Sequence, residues 1–487
     1  MRLGLVSLGC DKNTVDSERM LAWLTSRGAE PVSDLSGAEV ILVNTCGFID
    51  AAREESIETL LRAAEYKREG SCRSVVAVGC LVEQHGEELR DALPEVDTFI
   101  GLRDIDQLVP TLTEDGLLPP PAESGEGGTA HPGDRLPLGR GHVRYLKISE
   151  GCSHGCAFCA IPLWRGKHRS FPAGRVIAEA RRLEQQGAAE VNLVAQDLAH
   201  WGREYRDGSD LTTLLEGLME NTAVPWYRLL YIYSAGLTPN LAELMACEPR
   251  LLPYIDMPIQ HASDAVLGRM RRPERRDLLR RKVEWLRREV PGLVLRTTVL
   301  VGFPGETDVE FRELLDFLEE TEFDHLGGFT FSPQQGTRAA AMTDATVPED
   351  VARDRLEEVL ELQRGVSADC LGRLEGKECV AIVDGPAGAD DPVLEHLYPG
   401  GPPPGEHWSG RLAGQAFDID GSAVLRAEPG FAAEARDLAP GTLVKAVVSQ
   451  TADFDVACDL VGVVRAAPGS TRERALPVLG MDSVWGR

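Results

Sequence analysis

The stretch EGCSHGCAFC, residues 150–159, says most about the fold of this chain of 487 residues. Its cysteines stand in the pattern C-x3-C-x2-C, at Cys152, Cys156 and Cys159, directly after an apolar run that predicts a strand. Three thiolates on one tight loop can converge on a single centre, and most [4Fe–4S] clusters take four cysteine ligands. Because no fourth cysteine is near, a cluster held here would keep one iron open for a ligand from outside the protein.

A zinc site is the alternative for this loop. Structural zinc takes four protein ligands in a tetrahedral arrangement, and His154 is the fourth donor on offer. His154 lies inside the tight loop, where its ring reaches the same metal only awkwardly. The ligand count therefore favours an iron–sulfur cluster, and the Gly, Ser and His neighbours disfavour three inert buried thiols.

A second set of three cysteines lies in the N-terminal part of the chain. Each follows a strand candidate and stands in a strand-to-helix loop: Cys10 after Arg2–Leu8, Cys46 after Val40–Val43 and Cys80 after Ser74–Val78. In a parallel sheet these loops lie at one edge, so the three thiols can meet there and again leave one iron open. The alternative is three unrelated buried thiols.

The other cysteines carry no such placement. Cys72 precedes its strand, so it is predicted to lie at the opposite edge and to ligate nothing. The remaining four are interpreted as small apolar residues; they are Cys247, Cys370, Cys379 and Cys458.

The alternation of strands and helices predicts an α/β protein of several domains. Residues 1–115 and 142–372 each predict a parallel sheet with helices on its faces. The second region is predicted as a partial (β/α)6 barrel with its site at the carboxyl ends of the strands. Its six strand candidates are Val143–Ile148, Glu190–Ala195, Tyr227–Tyr233, Tyr254–Ile259, Val294–Val301 and His325–Phe331.

The other segments differ in composition. Residues 116–141 are rich in Pro, Gly, Ser and Glu and predict a linker. Residues 373–466 combine short strands with Gly and Asp turns and predict a small β-barrel, with a disordered loop inserted at 385–410. Residues 467–487 are predicted to be a tail.

Charge and hydropathy narrow the class of protein. The net charge of −26 argues against nonspecific nucleic-acid binding and permits a basic partner protein. No apolar run is long enough for a membrane span, and the N-terminus lacks the regions of a signal peptide. We therefore expect a cytoplasmic protein whose eleven cysteines are not a disulfide framework.

The cysteine loop at 150–159 resembles the radical S-adenosylmethionine (SAM) superfamily, including the aromatic residue before the third cysteine, Phe158. The resemblance implies that the open iron is chelated by SAM and that Phe158 lies near adenine. It also implies that one electron from the cluster cleaves SAM to a 5′-deoxyadenosyl radical, which abstracts a hydrogen atom from an unactivated carbon.

Two cysteine triads that each leave one iron open are the arrangement of the methylthiotransferase family, which the sequence resembles over nearly its whole length. The resemblance implies that the third domain is a TRAM β-barrel. Several stretches resemble the RimO-type branch of that family: VSLGCDKN (6–13), NTCGFID (44–50), LKISEGC (146–152), IPLWRGK (161–167), LVAQD (193–197) and YIDMPIQH (254–261). The stretch YIYSA, 231–235, departs from the tyrosine–proline pattern of the family.

This resemblance implies the reaction. The target is an aspartate of small-subunit ribosomal protein twelve, methylthiolated at its β-carbon. One SAM methylates a sulfur on the cluster of Cys10, Cys46 and Cys80, and a second SAM at the other cluster yields the radical. A flavodoxin or ferredoxin type of electron donor is implied, and we expect a monomer.

The charge of the third domain separates two branches of the family. Residues 373–466 hold 7 Lys and Arg against 15 Asp and Glu, so 7 − 15 = −8. An RNA-binding barrel should be basic, whereas an acidic one suits a basic ribosomal protein. Modification of a tRNA adenosine is the alternative activity, and an iron–sulfur scaffold without catalysis is a further one.

Further SAM contacts are predicted at strand ends. Gln196 and Asp197 end the second barrel strand, where the resemblance places the SAM amino group, although Asp197 can instead cap a helix. Gly302 ends the fifth strand and resembles a SAM-contacting turn, with a plain turn before a Thr307–Glu310 capping box as the alternative. Arg296 and Thr298 share one face of that strand, and one of them could meet the SAM carboxylate.

A basic stretch interrupts this acidic chain. Residues 265–290 carry 10 Lys and Arg against 4 Asp and Glu. The stretch could contact ribosomal RNA, although such runs more often form a solvated helix face.

Overall fold

The structure, a computed structural model, describes residues 1–120, 135–388, 390–427 and 437–468. Most of the predicted linker and nearly all of the predicted tail lie outside these residues. Among the described residues, no helix is both long and apolar enough to cross a membrane.

The N-terminal part forms one five-stranded parallel sheet. Its elements are β1 Arg2–Ser7, α1 Asp11–Ser26, β2 Glu30–Pro31, β3 Val40–Thr45, α2 Asp50–Glu69, β4 Ser74–Gly79, α3 Cys80–Ala92, β5 Thr98–Gly101 and α4 Leu108–Glu114. The strand order is β2-β1-β3-β4-β5. Strands β3 and β4 are buried along their whole length, as parallel strands covered by helices on both faces are. The sequence patterns had not indicated the short edge strands β2 and β5.

The central part is a six-stranded parallel sheet, the partial barrel that the sequence predicts. Its elements are β6 Val143–Lys147, β7 Ser149–Glu150, α5 Ile161–Trp164, β8 Arg169–Ser170, α6 Ala173–Gln185, β9 Glu190–Val194, α7 Leu211–Asn221, β10 Trp226–Leu229, α8 Pro239–Cys247, β11 Leu251–Asp256, α9 Asp264–Arg269, α10 Arg276–Glu289, β12 Val294–Val301, α11 Asp308–Thr321, β13 His325–Thr330 and α12 Glu349–Gly372. Six of these strands form the sheet, in the order β13-β12-β11-β10-β9-β6, and β7 and β8 form a separate antiparallel pair.

Two of the predicted central strands end earlier than expected. Strand β10 stops at Leu229 because Tyr231 adopts a left-handed conformation, with φ 67°. Strand β11 stops at Asp256, before Pro258, whose ring nitrogen cannot donate to a ladder. After both strands, the backbone leaves the sheet at the edge where the site lies.

The C-terminal part is a closed five-stranded barrel. Its elements are β14 Glu378–Pro386, α13 Pro392–Leu397, β15 Glu406–Leu412, β16 Ala423–Ala427, β17 Leu443–Thr451 and β18 Val456–Arg465, with the strand order β14-β15-β16-β18-β17. The fold class predicted from the sequence, two parallel α/β units and a small TRAM-like barrel, is therefore confirmed.

The prediction of a disordered loop at 385–410 is wrong for the described residues. Helix α13 lies within it, begins at Pro392 and is capped by Asp391, whose Oδ1 accepts from the backbone N–H of Val393 at 2.9 Å. Leu394 and Leu397 are buried in a small apolar cluster on the barrel. The cap, the proline in the first turn and the paired leucines stabilise a helix despite the Gly- and Pro-rich sequence that follows.

Buried ion pairs join the N-terminal and central parts. Arg135, in the C-terminal part of the predicted linker, is fully enclosed and pairs with Glu18 of α1 and with Glu179 of α6. Arg19 also pairs with Glu179, at 3.2 Å, and Lys147 Nζ lies 2.7 Å from Asp16 Oδ1. Residues 135–141 thus take part in the interface, although their composition predicts only a linker.

The loop between β15 and β16 fills the half of the partial barrel nearest the amino-terminal ends of its strands, called the lower half below. Ala416 and Ile419 of this loop belong to one apolar cluster with Trp226, Leu252 and Tyr254 of the central strands. The C-terminal barrel therefore closes the amino-terminal end of the central sheet and leaves the carboxyl end for the site.

Candidate active site with two cysteine triads

The first triad lies at the carboxyl edge of the N-terminal sheet. Cys10 follows β1, Cys46 follows β3, and Cys80 begins α3 directly after β4. Burial, with smaller contributions from Cys10 and Cys80, raises the pKa of Cys46 to about 12, so the three thiols are close enough to act on one another. The structure thus brings together the three cysteines that the sequence predicted would meet.

Asn13 holds the loops of this triad in place. Its Nδ2 donates to the carbonyl oxygens of Leu8, at 3.0 Å, and Thr45, at 3.2 Å, and so ties the ends of β1 and β3 together. Cys80 Sγ lies 3.8 Å from its Oδ1. Gly9, with φ 82°, passes so near Cys46 that an added Cβ would lie 2.8 Å from its Sγ, which leaves that sulfur facing backbone rather than a side chain.

Cys72 is at the other edge of the same sheet. It precedes β4, is buried in the apolar cluster of the domain and donates to the carbonyl of Ser74 at 3.4 Å. Among the remaining cysteines, Cys379 and Cys458 are neighbours in the C-terminal barrel, where the nearby Cys458 thiol lowers the pKa of Cys379.

The second triad lies in the loop after β6. The backbone pins this loop, since Cys152 N–H donates to the carbonyl of Gly166 at 3.1 Å and Ala157 N–H to that of Met270 at 2.9 Å. Burial, with a smaller contribution from Cys156, raises the pKa of Cys152 to about 11 and that of Cys159 to about 12. These thiols also form one group at the carboxyl edge of the central sheet.

The donor set fits iron–sulfur clusters better than single metal ions. Within the described ranges, one group of His, Cys, Asp and Glu side chains has all its ligand atoms within 4.8 Å of one another, and it contains no cysteine. Each triad is therefore wider than a single ion requires. Thiols with raised pKa values become thiolates when a metal centre replaces their protons, and each triad supplies one ligand fewer than a cluster of four irons takes.

That one compact group is His154, Asp197 and His200. His154 Nε2 lies 2.8 Å from Asp197 Oδ2, and its ring stacks on Tyr233 with centroids 4.1 Å apart. The histidine that would complete a zinc site in the cysteine loop is therefore held by a carboxylate of the neighbouring strand end.

The residues predicted to contact SAM fall into two groups by their partners. Gln196 Oε1 is buried without a hydrogen-bond partner among the described residues, while its Nε2 lies 3.5 Å from Glu150 Oε1. Asp197 Oδ1 accepts from the N–H groups of Ala199 and Tyr233, so Asp197 acts as the cap that the sequence left open as an alternative. Gln196 therefore offers a buried oxygen without a partner in the described part of the chain, whereas both oxygens of Asp197 have partners within the protein, and the contact of either residue with SAM stays a prediction.

Arg296 and Thr298 also have partners within the protein. Arg296 Nη1 lies 3.2 Å from Asp256 Oδ1 and 3.4 Å from Thr298 Oγ1. Its Nε lies 3.4 Å from Asp420 Oδ1 of the C-terminal barrel. The contact of either residue with the SAM carboxylate stays a prediction, and the Arg296 guanidinium already faces two carboxylates.

An apolar surface stands beside the second triad. Phe158 packs in a cluster that contains Leu300 and Phe303, at the end of β12. Gly302 lies between those two residues with φ 72°, and the capping box of Thr307 and Glu310 starts α11. The residues predicted to lie on the adenine side, Phe158 and the turn at Gly302, are thus together.

Comparison with known proteins identifies the family. The family model described as uncharacterized protein family UPF0004 matches residues 2–101, and that of the radical SAM superfamily matches residues 146–318. The chain is 41% identical over 457 residues to a protein of Desulforudis audaxviator named ribosomal protein uS12 methylthiotransferase RimO, covering 93% of this chain and 96% of that protein. The chain belongs to the RimO family.

Other members show the same extent of similarity. The RimO of Anaeromyxobacter sp. strain K is 39% identical and covers 98% of this chain and 96% of its own, and that of Geobacter sulfurreducens is 38% identical and covers 94% and 98%. Among solved structures, the radical SAM methyltransferase TsrM from Kitasatospora setae has a TM-score of 0.50 at 14% identity, covering 69% of this chain and 73% of that chain. The latter likeness concerns the fold alone.

A residue that the sequence analysis left without a role joins the two triads in this RimO-family chain. Arg165, just after α5, donates to Asn13, Asp16, Glu150 and the sulfur of Cys80. Its place in the stretch IPLWRG, six residues after Cys159, was the available signal. The pattern alone could not show that its side chain crosses to the N-terminal sheet.

Proposed function

We propose that this protein methylthiolates the β-carbon of an aspartate in ribosomal protein uS12 by radical SAM chemistry. The observation that carries the proposal is the relationship over almost the whole chain, 93% of it and 96% of the relative, to proteins named for this activity. The two cysteine triads at the carboxyl edges of their sheets support it, because the reaction needs one centre for radical formation and another for sulfur. The reaction takes place in the cytoplasm, where ribosomes are.

We infer that Cys152, Cys156 and Cys159 hold one [4Fe–4S] cluster and that Cys10, Cys46 and Cys80 hold the other. When bound, the first cluster with SAM supplies the 5′-deoxyadenosyl radical, and the second supplies the methylated sulfur that is transferred. The protein keeps the two loops in contact through the buried ion pairs of α1 and through Arg165. Such fixed geometry shortens the approach of the reacting groups and excludes water.

The SAM-binding residues of this proposal are those around the second triad. Gln196 Oε1 accepts a hydrogen bond from the SAM ammonium, because it is a buried oxygen without another partner. Phe158 and the turn at Gly302 form the surface against the adenine. Thr298 lies on strand β12, which ends at this turn. Arg296 of the same strand orients it through its ion pairs with Asp256 and Asp420.

The substrate end of the proposal rests on charge. The C-terminal barrel sequence carries a net charge of −8 by the count given above, and acidic surfaces attract basic proteins. A flavodoxin or ferredoxin type of protein supplies the electrons, and the enzyme acts as a monomer.

The test is the intact mass of uS12 from cells with and without the gene. Loss of one methylthio increment, mapped to an aspartate, is the expected result. Complementation with Cys10→Ala should leave the increment absent, whereas Cys72→Ala, a buried cysteine of the same sheet at its other edge, should restore it. An unmodified uS12 in the parent strain together with lost methylthio groups in tRNA nucleosides would assign the protein to the tRNA branch.

A further inference from the structure

Arg165 is the residue whose position calls for a role of its own. It follows α5, and its side chain is only 5% exposed, enclosed between the N-terminal and central sheets. One nitrogen of its guanidinium, Nη1, donates to Asp16 Oδ2 at 3.1 Å and to Glu150 Oε1 at 3.0 Å. The other, Nη2, donates to Asn13 Oδ1 at 2.7 Å and to Cys80 Sγ at 3.5 Å.

The contact with Cys80 is fixed on both sides. Asn13 cannot turn its amide, because Nδ2 is occupied by the carbonyls of Leu8 and Thr45, so Oδ1 stays toward Arg165. Asp16 is held from the opposite side by Lys147. The guanidinium is a planar fork, so fixing Nη1 on two carboxylates also fixes the direction of Nη2 toward the sulfur.

Holding the domains together does not require this contact. Arg19 with Glu179, Arg135 with Glu18 and Glu179, and Lys147 with Asp16 already join α1 to the central sheet. Arg165 differs from these three cations because, among the described residues, it also donates to a cysteine of the first triad. Its charge opposes the effect of burial on the pKa of both Cys46 and Cys80.

We propose that Arg165 is a positioning residue that raises the reduction potential of the cluster at Cys10, Cys46 and Cys80 through its hydrogen bond to the Cys80 sulfur. The inference rests on the proposed function, since it needs a cluster at this triad. Reduction adds negative charge to a cluster and its sulfur ligands, and a donor aimed at a ligand sulfur stabilises the reduced form more than the oxidised form. In a buried site this difference is larger than in water.

The same residue touches the loop of the second triad through Glu150, two residues before Cys152. The N-terminal cluster thus has its potential set by a side chain that comes from the radical SAM domain. This arrangement makes a correctly poised N-terminal cluster dependent on docking of the two domains.

The experiment isolates the N-terminal cluster. Cys152, Cys156 and Cys159 are replaced by Ala in the full chain, iron and sulfide are added without oxygen, and the iron content is measured. The potential is then determined by protein-film voltammetry in this background and in two further variants, Arg165→Lys and Arg19→Lys. Arg19→Lys is the matched control, because it keeps its charge and lies at the same domain boundary without touching a cysteine.

Arg165→Lys keeps the charge but loses the fork that reaches the sulfur. We expect its ratio of reduced to oxidised cluster, at a fixed solution potential, to fall about tenfold, which is about 59 mV for a one-electron couple. Arg19→Lys should change the ratio less than twofold. If Arg165→Lys is not recovered folded, as judged by circular dichroism, Arg165→Gln is titrated with the same expectation.

The outcomes separate the inference from the function on which it rests. Full iron content with an unchanged potential in Arg165→Lys would overturn the inference and leave the two-cluster proposal standing. Loss of iron from Arg165→Lys, with Arg19→Lys intact, would also overturn it, since Arg165 would then be needed for cluster assembly. Absence of iron from the background protein itself would overturn the two-cluster proposal.

Discussion

Arg296 Nε in strand β12 lies 3.4 Å from Asp420 Oδ1 in the loop that connects β15 and β16 of the C-terminal barrel. Asp420 Oδ2 also accepts from the hydroxyl of Tyr254 at 2.8 Å and from the backbone N–H of Ala416. One carboxylate therefore fixes the loop that fills the lower half of the partial barrel. The C-terminal domain is part of the core of the central domain as well as a separate barrel.

Replacing Asp420 by Asn should destabilise the protein strongly. The substitution leaves the Arg296 side chain, which is 16% exposed, with Asp256 as its remaining carboxylate, and removing one partner of a fully buried ion pair costs up to about 3–5 kcal/mol. Urea unfolding followed by tryptophan fluorescence measures the loss of stability, since Trp226 lies in the same apolar cluster as Tyr254, the hydrogen-bond partner of Asp420. Asp453→Asn, at an exposed acid of the same barrel, should change the free energy of unfolding by less than about 0.5 kcal/mol. Equal stability of the two variants would contradict the role given to Asp420.

Gly302 should not tolerate a side chain, whereas Gly365 should. Gly302 has φ 72°, and an added Cβ would lie 2.5 Å from Cβ of Ala352. Gly365 lies within α12, and a Cβ there meets nothing within 4 Å. We expect Gly302→Ala to lower the melting temperature by several degrees and Gly365→Ala to raise stability by about 0.5–1 kcal/mol, since Ala is the better helix former. Calorimetry on both variants checks the opposite signs, and a shared sign would contradict the geometry.

His261 should make stability fall as the pH is lowered. Burial, aided by the charges of Arg269 and Arg355, lowers the pKa of His261 to about 3 from its ordinary 6.5. Between these values the unfolded chain binds a proton that the folded chain does not, so stability is full above pH 6.5 and falls by about 1.4 kcal/mol per pH unit below it.

The His261→Asn variant tests this titration. Its side-chain oxygen can replace Nδ1 as the acceptor for the backbone N–H of Ser263. Urea midpoints measured at pH 7.5, 6 and 5 should decline less steeply in the variant than in the parent, with parallel behaviour above pH 7. Identical slopes below pH 6.5 would show that His261 is not buried in its neutral form.

Gln196→Leu should weaken SAM binding without unfolding the protein. The variant removes the buried Oε1 that has no partner among the described residues, and a hydrogen bond to a charged group contributes about 1.5–3 kcal/mol, which corresponds to at least tenfold in affinity. Calorimetric titration of SAM into the reconstituted protein measures the dissociation constant. Gln185→Leu, at the exposed end of α6, is the control and should bind SAM as the parent does.

Several features of the site could be read from the chain because they are local. A thiol just after a buried strand lies at the carboxyl edge of a parallel sheet, whichever helices follow, so Cys10, Cys46 and Cys80 were predicted to meet. The same rule placed Cys72 at the other edge. The Thr307–Glu310 capping box was also predicted correctly, since it depends on four consecutive residues.

Other features were missed where a short local signal competed with composition. Helix α13 lies in a stretch rich in Gly and Pro, and its cap and two leucines were outweighed by that composition. The end of β10 at Leu229 depends on the left-handed backbone of Tyr231, which Asp256 holds from another strand. Neither is visible in a periodicity.

The sequence by itself determined the three kinds of domain and the two cysteine triads, because these follow from the alternation of strands and helices and from residue spacing within each domain. The family followed from the resemblance of short stretches such as VSLGCDKN and YIDMPIQH. Only the tertiary structure decided that Arg165 meets Cys80, that Arg296 meets Asp420 rather than standing free, and that His154 turns to Asp197. The first two contacts join domains whose relative orientation is set by buried ion pairs between residues more than a hundred positions apart, such as Arg135 with Glu18. Charges buried at such a boundary must find partners there, and which partners they find depends on packing that no local pattern encodes.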